Sequence, residues 1–246
     1  MNCFLAPLYY LWKLYIGLVF VITLLLFYPL LFVILQFEQL KPLSFKVNVV
    51  WSRCIRIFCF YAIEITGNTN IQKEPCVIVG NHTSYLDIFL LYSFLPKNRF
   101  LFMGKSELLG YPFVKTFFKR LNIPVDRNNA MKSGRAFIKA RQELNEGWSI
   151  ALFPEGGIMD PTSKLFPFKD GAFQLAKSSK SDIVPMTFMN NFRLFSDPVY
   201  MLYPAMPGLV KVHIHNTIKK EEVIQSDIET LKNKTHRLIN AYLPQE

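Results

Sequence analysis

Between Lys13 and Glu38 the chain runs for 24 residues, Leu14 to Phe37, without a single charge. Within it fall Leu24-Leu25-Leu26-Phe27 and Leu30-Leu31-Phe32-Val33. A helix of roughly 20 apolar residues crosses the hydrocarbon layer of a bilayer, so this run sets the first condition on the fold: it enters lipid. A cleaved leader has a shorter apolar region and a small-residue cleavage site, and neither is evident here. Pro29 lies inside the run and leaves two geometries open, a kinked spanning helix or a re-entrant hairpin in one leaflet. Lys41, Lys46, Arg53 and Arg56 follow the run, against Lys13 before it. The positive-inside rule therefore places the rest of the chain on the cytoplasmic face. Residues 45–62 mix Phe45, Val49, Trp51, Ile55 and Phe58 with Lys46, Arg53 and Arg56. That mixture predicts an amphipathic helix in the membrane interface, the competing reading being a soluble helix packed on the domain. The organisation expected is a membrane anchor with its interfacial helix over 1–60 and a catalytic domain over 61–246.

At 51% apolar and 15% aromatic residues, the chain is neither disordered nor a small disulfide scaffold. Its formal charge of +10 asks for an anionic partner. A bilayer surface with anionic or phosphorylated lipid satisfies both the charge and the apolar run. The basic residues carry no aromatic interleaving or nucleic-acid motif, so nucleic acid is not an expected partner. Cys3, Cys54, Cys59 and Cys76 form no C-x-x-C pair, which favours reduced, packed thiols over a metal site or disulfide frame.

After residue 60, short apolar runs bounded by turn residues predict strands at Tyr61–Thr66, Cys76–Val79, Arg99–Met103, Ile123–Val125, Ser149–Phe153, Ile183–Phe188 and Leu209–His215. Helical periodicity lies between several of them, most clearly over Asn129–Glu146 with Gly147 as a stop, and again over Glu221–Tyr242. Strands alternating with helices predict an α/β fold, a mixed sheet flanked by helices.

The chemistry concentrates at strand ends. Directly after Cys76–Val79 comes Asn81-His82-Thr83-Ser84-Tyr85-Leu86-Asp87. If the turn folds back, the Asp87 carboxylate accepts from one imidazole nitrogen of His82, and the other nitrogen is free to take a proton. Ser84-x-x-Asp87 also reads as a capping box, which needs no catalysis to explain it. Phe153-Pro154-Glu155-Gly156-Gly157 ends another apolar strand, where α/β proteins place their ligands; alone it is an ordinary turn. Met103-Gly104-Lys105-Ser106 is not a phosphate loop, because Arg99 stands where that motif's first glycine belongs. Lys105 can still meet a phosphate as a point charge. His213 and His215 alternate with Val210, Val212 and Ile214, so both are expected to face solvent or a groove, with no cysteine or carboxylate cluster to complete a metal site. No G-x-S-x-G elbow occurs, which disfavours a serine hydrolase.

Taken in order, these pieces resemble the lysophosphatidic acid acyltransferase family (1-acylglycerol-3-phosphate O-acyltransferases). Asn81-His82-x-Ser84-x-x-Asp87 is similar to the family's N-H-x-S-x-x-D block. Gly104-Lys105-Ser106-Glu107-Leu108, Pro112-Phe113 and Ile123-Pro124-Val125-Asp126-Arg127 resemble its second block. Phe153-Pro154-Glu155-Gly156 resembles the third, Lys164-Leu165-x-Pro167-Phe168-Lys169-x-Gly171-Ala172 the stretch that follows, and Ile183-Val184-Pro185-Met186 the fourth. The match covers residues 75–190. It implies a glycerolipid acyltransferase-like fold against the cytoplasmic leaflet, with His82 as general base on the acceptor hydroxyl and Asp87 orienting it. Glu155 and Gly156 are then expected at the acceptor, with Asn81, Ser84 and Lys169 as further site residues. Turn amides and Lys105 are candidates for stabilising the oxyanion. No cofactor and no metal is implied. The donor is an acyl thioester on coenzyme A or on acyl carrier protein.

One departure bears on the acceptor. The family's third block commonly continues E-G-T-R, its arginine holding the acceptor's phosphate, whereas here Glu155-Gly156 is followed by Gly157-Ile158. Lys105, Arg127, and Lys164 or Lys169 are the replacements expected to supply that charge. The leading expectation is therefore acylation of lysophosphatidic acid to phosphatidic acid. The alternatives are another lyso-lipid acceptor, such as a lyso amino-acid lipid, or a catalytically silent lipid-binding protein.

Overall fold

The computed structural model describes residues 5–71, 74–110, 112–158, 164–197 and 199–244, leaving Cys3 outside. Each of the seven apolar runs forms a strand: β1 (Tyr61–Gly67), β2 (Cys76–Gly80), β3 (Phe100–Lys105), β4 (Ile123–Val125), β5 (Ser149–Leu152), β6 (Asp182–Phe188) and β7 (Gly208–Ile214). They make one sheet in the order β1-β7-β6-β2-β5-β3-β4. Neighbours are parallel except β6 and β7, which run antiparallel from Met186↔Ile214 to Phe188↔Val212. Pro185 is tolerated in an interior strand because its nitrogen turns to the β7 side, at the end of the pairing with β7, where only its carbonyl is used, accepting from His215 N at 3.0 Å. Ile183, two residues back, uses the same side to bond Ile218 instead.

The helices are α1 (Ala6–Ile34), α2 (Lys41–Phe58), α3 (Leu86–Phe94), α4 (Pro112–Arg120), α5 (Ala130–Asn145), α6 (Gly171–Ser179), the single turn α7 (Asn191–Leu194), α8 (Lys220–Gln225) and α9 (Ile228–Asn240). Chain order divides them between the faces. The β2–α3–β3 crossover steps one way along the sheet, while β4–α5–β5 and β5–α6–β6 step back the other way. Right-handed crossovers therefore put α3 on one face and α5 and α6 on the other. Helix α2 packs on α3 and α1 packs on α2, while α8 and α9 join α6. The same arithmetic turns the C-terminal ends of β2, β3, β4, β5 and β6 to one edge, which gathers most of the candidate residues there.

Three expectations change. The helix expected over Glu221–Tyr242 is two helices, because Asp227 caps α9 by accepting from Thr230 N at 2.7 Å and breaks the run. Helix α2 is a packed helix: Phe45, Val49, Trp51 and Ile55, expected in the membrane interface, are buried between α1 and the sheet layer. His215 is buried beside Thr187, while only His213 is partly open. Of the described cysteines, Cys59 and Cys76 are buried and Cys54 half-buried, and burial pushes the Cys76 thiol up to about 11.

Helix α1 runs continuously through Pro29 and is long and apolar enough to cross a membrane. It does not project away from the domain. Lys13 donates to Ser196 Oγ (2.8 Å), Trp51 Nε1 to Thr23 Oγ1 (3.0 Å), Tyr28 meets Thr116 (3.2 Å), and Arg120 donates to Leu35 O (3.0 Å) just past its end. These contacts begin beside the loop after β6 and end at α4, so the helix lies along the domain over most of its length. Its polarity is inverted: Lys13 and Thr23 face the protein, while Leu8, Leu11, Leu14, Leu18, Ile22 and Leu25 are 52–61% exposed.

Candidate active site

β2 is buried along its whole length and delivers Asn81 and His82 at the sheet edge. Asn81 is fully buried and pairs with the Phe188 main chain, Nδ2 to O at 3.0 Å and Phe188 N to Oδ1 at 2.8 Å. It thereby fixes the exit of β2 against the end of β6. The chain then folds back, and His82 Nδ1 lies 2.9 Å from Asp87 Oδ2. The same oxygen accepts from Thr83 N (2.9 Å) and Ser84 N (3.0 Å). Ser84 Oγ in turn accepts from Leu86 N (3.1 Å) and donates to Phe195 O (2.6 Å). The capping reading and the chemical reading are therefore one arrangement: the carboxylate that closes the start of α3 also holds the imidazole.

Asp87 is fully buried, and its Oδ1 accepts from Asn191 Nδ2 at 2.5 Å. A carboxylate that receives these donors is an acceptor only, which leaves the proton on His82 Nδ1 and Nε2 open. No described residue bonds Nε2 of His82. The ring stacks on Phe153 with centroids 4.1 Å apart at 14°, so β5 sets its plane. Asn191 escapes the sequence reading, and Phe153 reads there only as the start of a turn motif. The signal that could have found Asn191 was the Asn190-Asn191 pair at the exit of an apolar strand toward this edge.

Glu155 turns inward. It is 3% exposed; its Oε1 accepts from His82 N at 2.7 Å and its Oε2 from Phe166 N at 3.0 Å. Burial pushes its carboxyl above the usual range, and those two amide hydrogen bonds pull the other way. The geometry ties the His82 loop to the segment after the turn, whereas the sequence placed Glu155 at the acceptor. The Gly156 N–H is likewise engaged, donating to Phe153 O at 3.0 Å, so this turn amide does not face an oxyanion.

The cations do converge. Arg127 donates from a guanidinium nitrogen to Gly156 O at 2.8 Å. Gly156 sits at φ +93°, and a Cβ there would fall 2.7 Å from that Arg127 nitrogen and 2.8 Å from Lys169 Nζ. A Cβ on Gly157 would fall 2.9 Å from Lys105 Nζ. Lys105, Arg127 and Lys169 thus surround the Gly156–Gly157 turn, each occupying room that only glycine leaves. Lys164 is exposed and lies over the Phe166 ring at 6.0 Å. The ensemble offers a base held by a carboxylate, beside a three-cation turn able to bind a phosphate.

Comparison with known proteins identifies the family and the fold. The family described as Acyltransferase matches residues 62–189. A 1-acyl-sn-glycerol-3-phosphate acyltransferase of Chlamydomonas reinhardtii is 27% identical over 217 residues, 87% of this chain and 63% of that protein. One of Helicobacter pylori is 32% identical over 167 residues, 65% of this chain and 69% of that protein. A third, chloroplastic, from Brassica napus is spanned over 54% of its length, so the chain covers between about half and two thirds of the Brassica and Chlamydomonas proteins. The crystal structure of the 1-acyl-sn-glycerophosphate acyltransferase PlsC from Thermotoga maritima shares the fold. Its TM-score is 0.76 at 19% identity, over 94% of this chain and 92% of that one.

Proposed function

This chain belongs to the acyltransferase family, and from that premise we propose that it moves a fatty acyl group from a thioester to the free hydroxyl of lysophosphatidic acid, forming phosphatidic acid. The observation that carries the reading is the His82–Asp87 pair at 2.9 Å beside the turn ringed by Lys105, Arg127 and Lys169. His82 Nε2 takes the hydroxyl proton as the oxygen attacks the thioester carbonyl. Asp87 holds the ring in the Nδ1–H tautomer and stabilises the imidazolium that forms. When the tetrahedral adduct collapses, the C–S bond breaks and the thiolate leaves with the proton from Nε2. The residues balance the reaction by direct transfer, with no acyl-enzyme.

The three cations support a phosphorylated acceptor even though Ile158 stands at the arginine position of E-G-T-R. Lys105 and Arg127 approach the same turn from β3 and β4, so the positive charge comes from neighbouring strands rather than from the turn itself. Asn81, Ser84 and Glu155 act as positioning residues, since all three are buried and engaged with main chain.

Membrane attachment follows from the inverted polarity of α1. In water a helix turns its leucines inward; this one presents them outward along the domain, as a surface solvated by acyl chains does. Because its polar contacts run along its length, α1 lies in one leaflet rather than spanning, with the catalytic domain on the cytoplasmic side.

The test is acyl transfer by purified protein in mixed micelles, comparing lysophosphatidic acid with a phosphate-free lyso-lipid. Wild type should acylate lysophosphatidic acid, and His82→Ala should lower the rate by roughly a hundredfold or more. Transfer only to the phosphate-free lipid would remove the acceptor assignment. Equal rates in wild type and mutant would remove the mechanism.

A further inference from the structure

Lys13 is buried where its place in the sequence would leave it free. It stands immediately before the uncharged run, in the first half of α1. A lysine there ordinarily lays its stem along the apolar surface and lifts its ammonium to the headgroups. Here the side chain turns toward the protein and is 8% exposed. Its Nζ donates to Ser196 Oγ at 2.8 Å and to Tyr200 O at 2.5 Å, and the charge of Asp197 acts on it as well. A buried ammonium is costly even when paired, and an apolar side chain would pack α1 on the domain at less cost. What the ammonium adds is direction, because it fixes two acceptors at set positions.

Both acceptors belong to a hairpin that leaves α7. Its arms are joined by Met206 N to Leu194 O (2.9 Å), by Ser196 N to Pro204 O (3.0 Å) and by the bridge between Phe195 and Ala205. Tyr61 donates its hydroxyl to Leu194 O at 3.1 Å and ties the base to β1. Lys13 braces the outgoing arm at Ser196 and the turn at Tyr200. The same arm sets the catalytic geometry. Phe195, next to Ser196, accepts from Ser84 Oγ at 2.6 Å, and Asn191, at the start of α7, donates to Asp87 Oδ1 at 2.5 Å. The hydrogen bonds of Tyr15, Thr23 and Tyr28 take α1 to α2 or α4 instead. Through Lys13, Ser196 and Phe195 a continuous path runs from the lipid-facing helix to the loop that holds His82.

We infer that Lys13 is a positioning residue for the reaction: from α1 it holds residues 191–196 where Phe195 O and Asn191 keep Ser84 and Asp87 aimed at His82. The inference rests on the acyl-transfer reading, in which His82 and Asp87 are the reacting pair. Lys13 itself touches no reacting atom. Its effect is on the fraction of molecules whose carboxylate and imidazole are aligned, so it belongs to the rate of the chemical step rather than to acceptor affinity.

The experiment uses the full-length protein in mixed micelles, as wild type, Lys13→Met, Ser196→Ala, Asn191→Ala and the double variant Lys13→Met/Asn191→Ala. Methionine keeps much of the lysine stem and removes the charge. Ser196→Ala removes one acceptor and leaves the ammonium its bond to Tyr200 O, so it tests the same link with less risk to folding. Hydrogen exchange is followed over residues 82–87, where the Thr83 and Ser84 amides bond Asp87. Both single variants should quicken exchange there by roughly threefold or more while β2 and β5 stay protected. Lys13→Met should lower kcat roughly tenfold, with the acceptor KM within about twofold of wild type. Added to Asn191→Ala it should cost little more than Asn191→Ala alone, because both act on one segment. Three outcomes overturn the assignment: exchange over 82–87 that neither variant changes, exchange raised evenly through the sheet, or losses in kcat that multiply in full. Acyl transfer by wild type in the same samples reports on the catalytic reading independently. If no transfer occurs but the exchange pattern appears, the link from Lys13 to the His82 loop stands and the acyl-transfer reading falls.

Discussion

Asp87 accepts from His82 Nδ1, from two main-chain amides and from Asn191, and of these only Asn191 comes from outside the His82–Asp87 loop. Asn191 touches no reacting atom; it acts by keeping the carboxylate aimed at the imidazole. Asn191→Ala deletes one hydrogen bond to a charged group, about 1.5–3 kcal/mol. That predicts a kcat lowered roughly tenfold to a hundredfold at that scale, with the acceptor KM unchanged. Asn191→Asp should be worse than alanine, because it sets a second carboxylate against the first. An alanine mutant as impaired as the aspartate would show that the residue only packs. The turn makes a complementary prediction. A threonine at position 157, which the E-G-T-R pattern carries, brings a Cβ to 2.9 Å from Lys105 Nζ. Gly157→Thr should displace that ammonium and raise the KM for lysophosphatidic acid severalfold, by about 1 kcal/mol of lost phosphate contact, while leaving a phosphate-free acceptor unaffected. An unchanged KM would mean that Lys105 does not reach the phosphate.

At the scale of elements, strands were legible because each is a short apolar run stopped by turn residues; β2 and β6 are buried on both faces, while β1 and β7 alternate buried with open positions. The His82–Asp87 pairing was legible as well, since both residues sit in one turn. What could not be read locally depended on a partner distant in sequence. Glu155 reads in the sequence as a residue at the acceptor, and its hydrogen bonds to the His82 and Phe166 amides, which tie two loops together, depend on partners 73 and 11 residues away. Helix α2 carries the composition of an interfacial helix, but α1 covers its apolar side, and nothing within α2 encodes that. Helix α1 shows the reverse: composition marked it for lipid, while its direction along the domain depends on Lys13, Thr23 and Tyr28 meeting residues from three other elements. If its outward stripe is the lipid contact, Leu18→Asp with Leu25→Asp should cut vesicle cosedimentation sharply. Each buried aspartate costs about 2.5–3.5 kcal/mol in an apolar segment. Far-UV circular dichroism should not change, because both side chains are exposed on the protein. Full retention on vesicles would place the membrane contact elsewhere.

The molecule as a whole stores a pH dependence in histidines other than His82, two at the end of β7 and one on α9 against Phe168. His213, His215 and His236, three of the chain's four histidines, are all pushed below the usual imidazole range by burial. His215 falls furthest, to about 4. It is 4% exposed and donates from Nε2 to Thr187 Oγ1 at 2.8 Å, a hydroxyl that itself donates to Ile239 O at 3.2 Å. Neutral imidazole therefore stitches β7 and β6 to α9, and a second proton would put a buried charge beside the His213 and Tyr242 rings. The sign follows from linkage: with the folded pKa below the unfolded one, the unfolded chain binds more protons at acid pH. Stability is complete above pH 6.5 and declines as pH falls from there toward about 4. In detergent, the melting temperature should hold steady from pH 8 to 7 and then drop progressively between pH 6.5 and 4.5. Carboxylates with lowered pKa values, such as Asp227, lose their contribution only below their ordinary range, so the histidine limb comes first. His215→Asn lowers the melting temperature at every pH by removing a buried contact, and its distinguishing effect is a shallower slope through that window. An equally steep slope in the mutant would assign the acid limb to His213 and His236, and a flat wild-type curve would dismiss all three. Measuring unfolding rather than turnover is what keeps this limb apart from His82, the proposed general base.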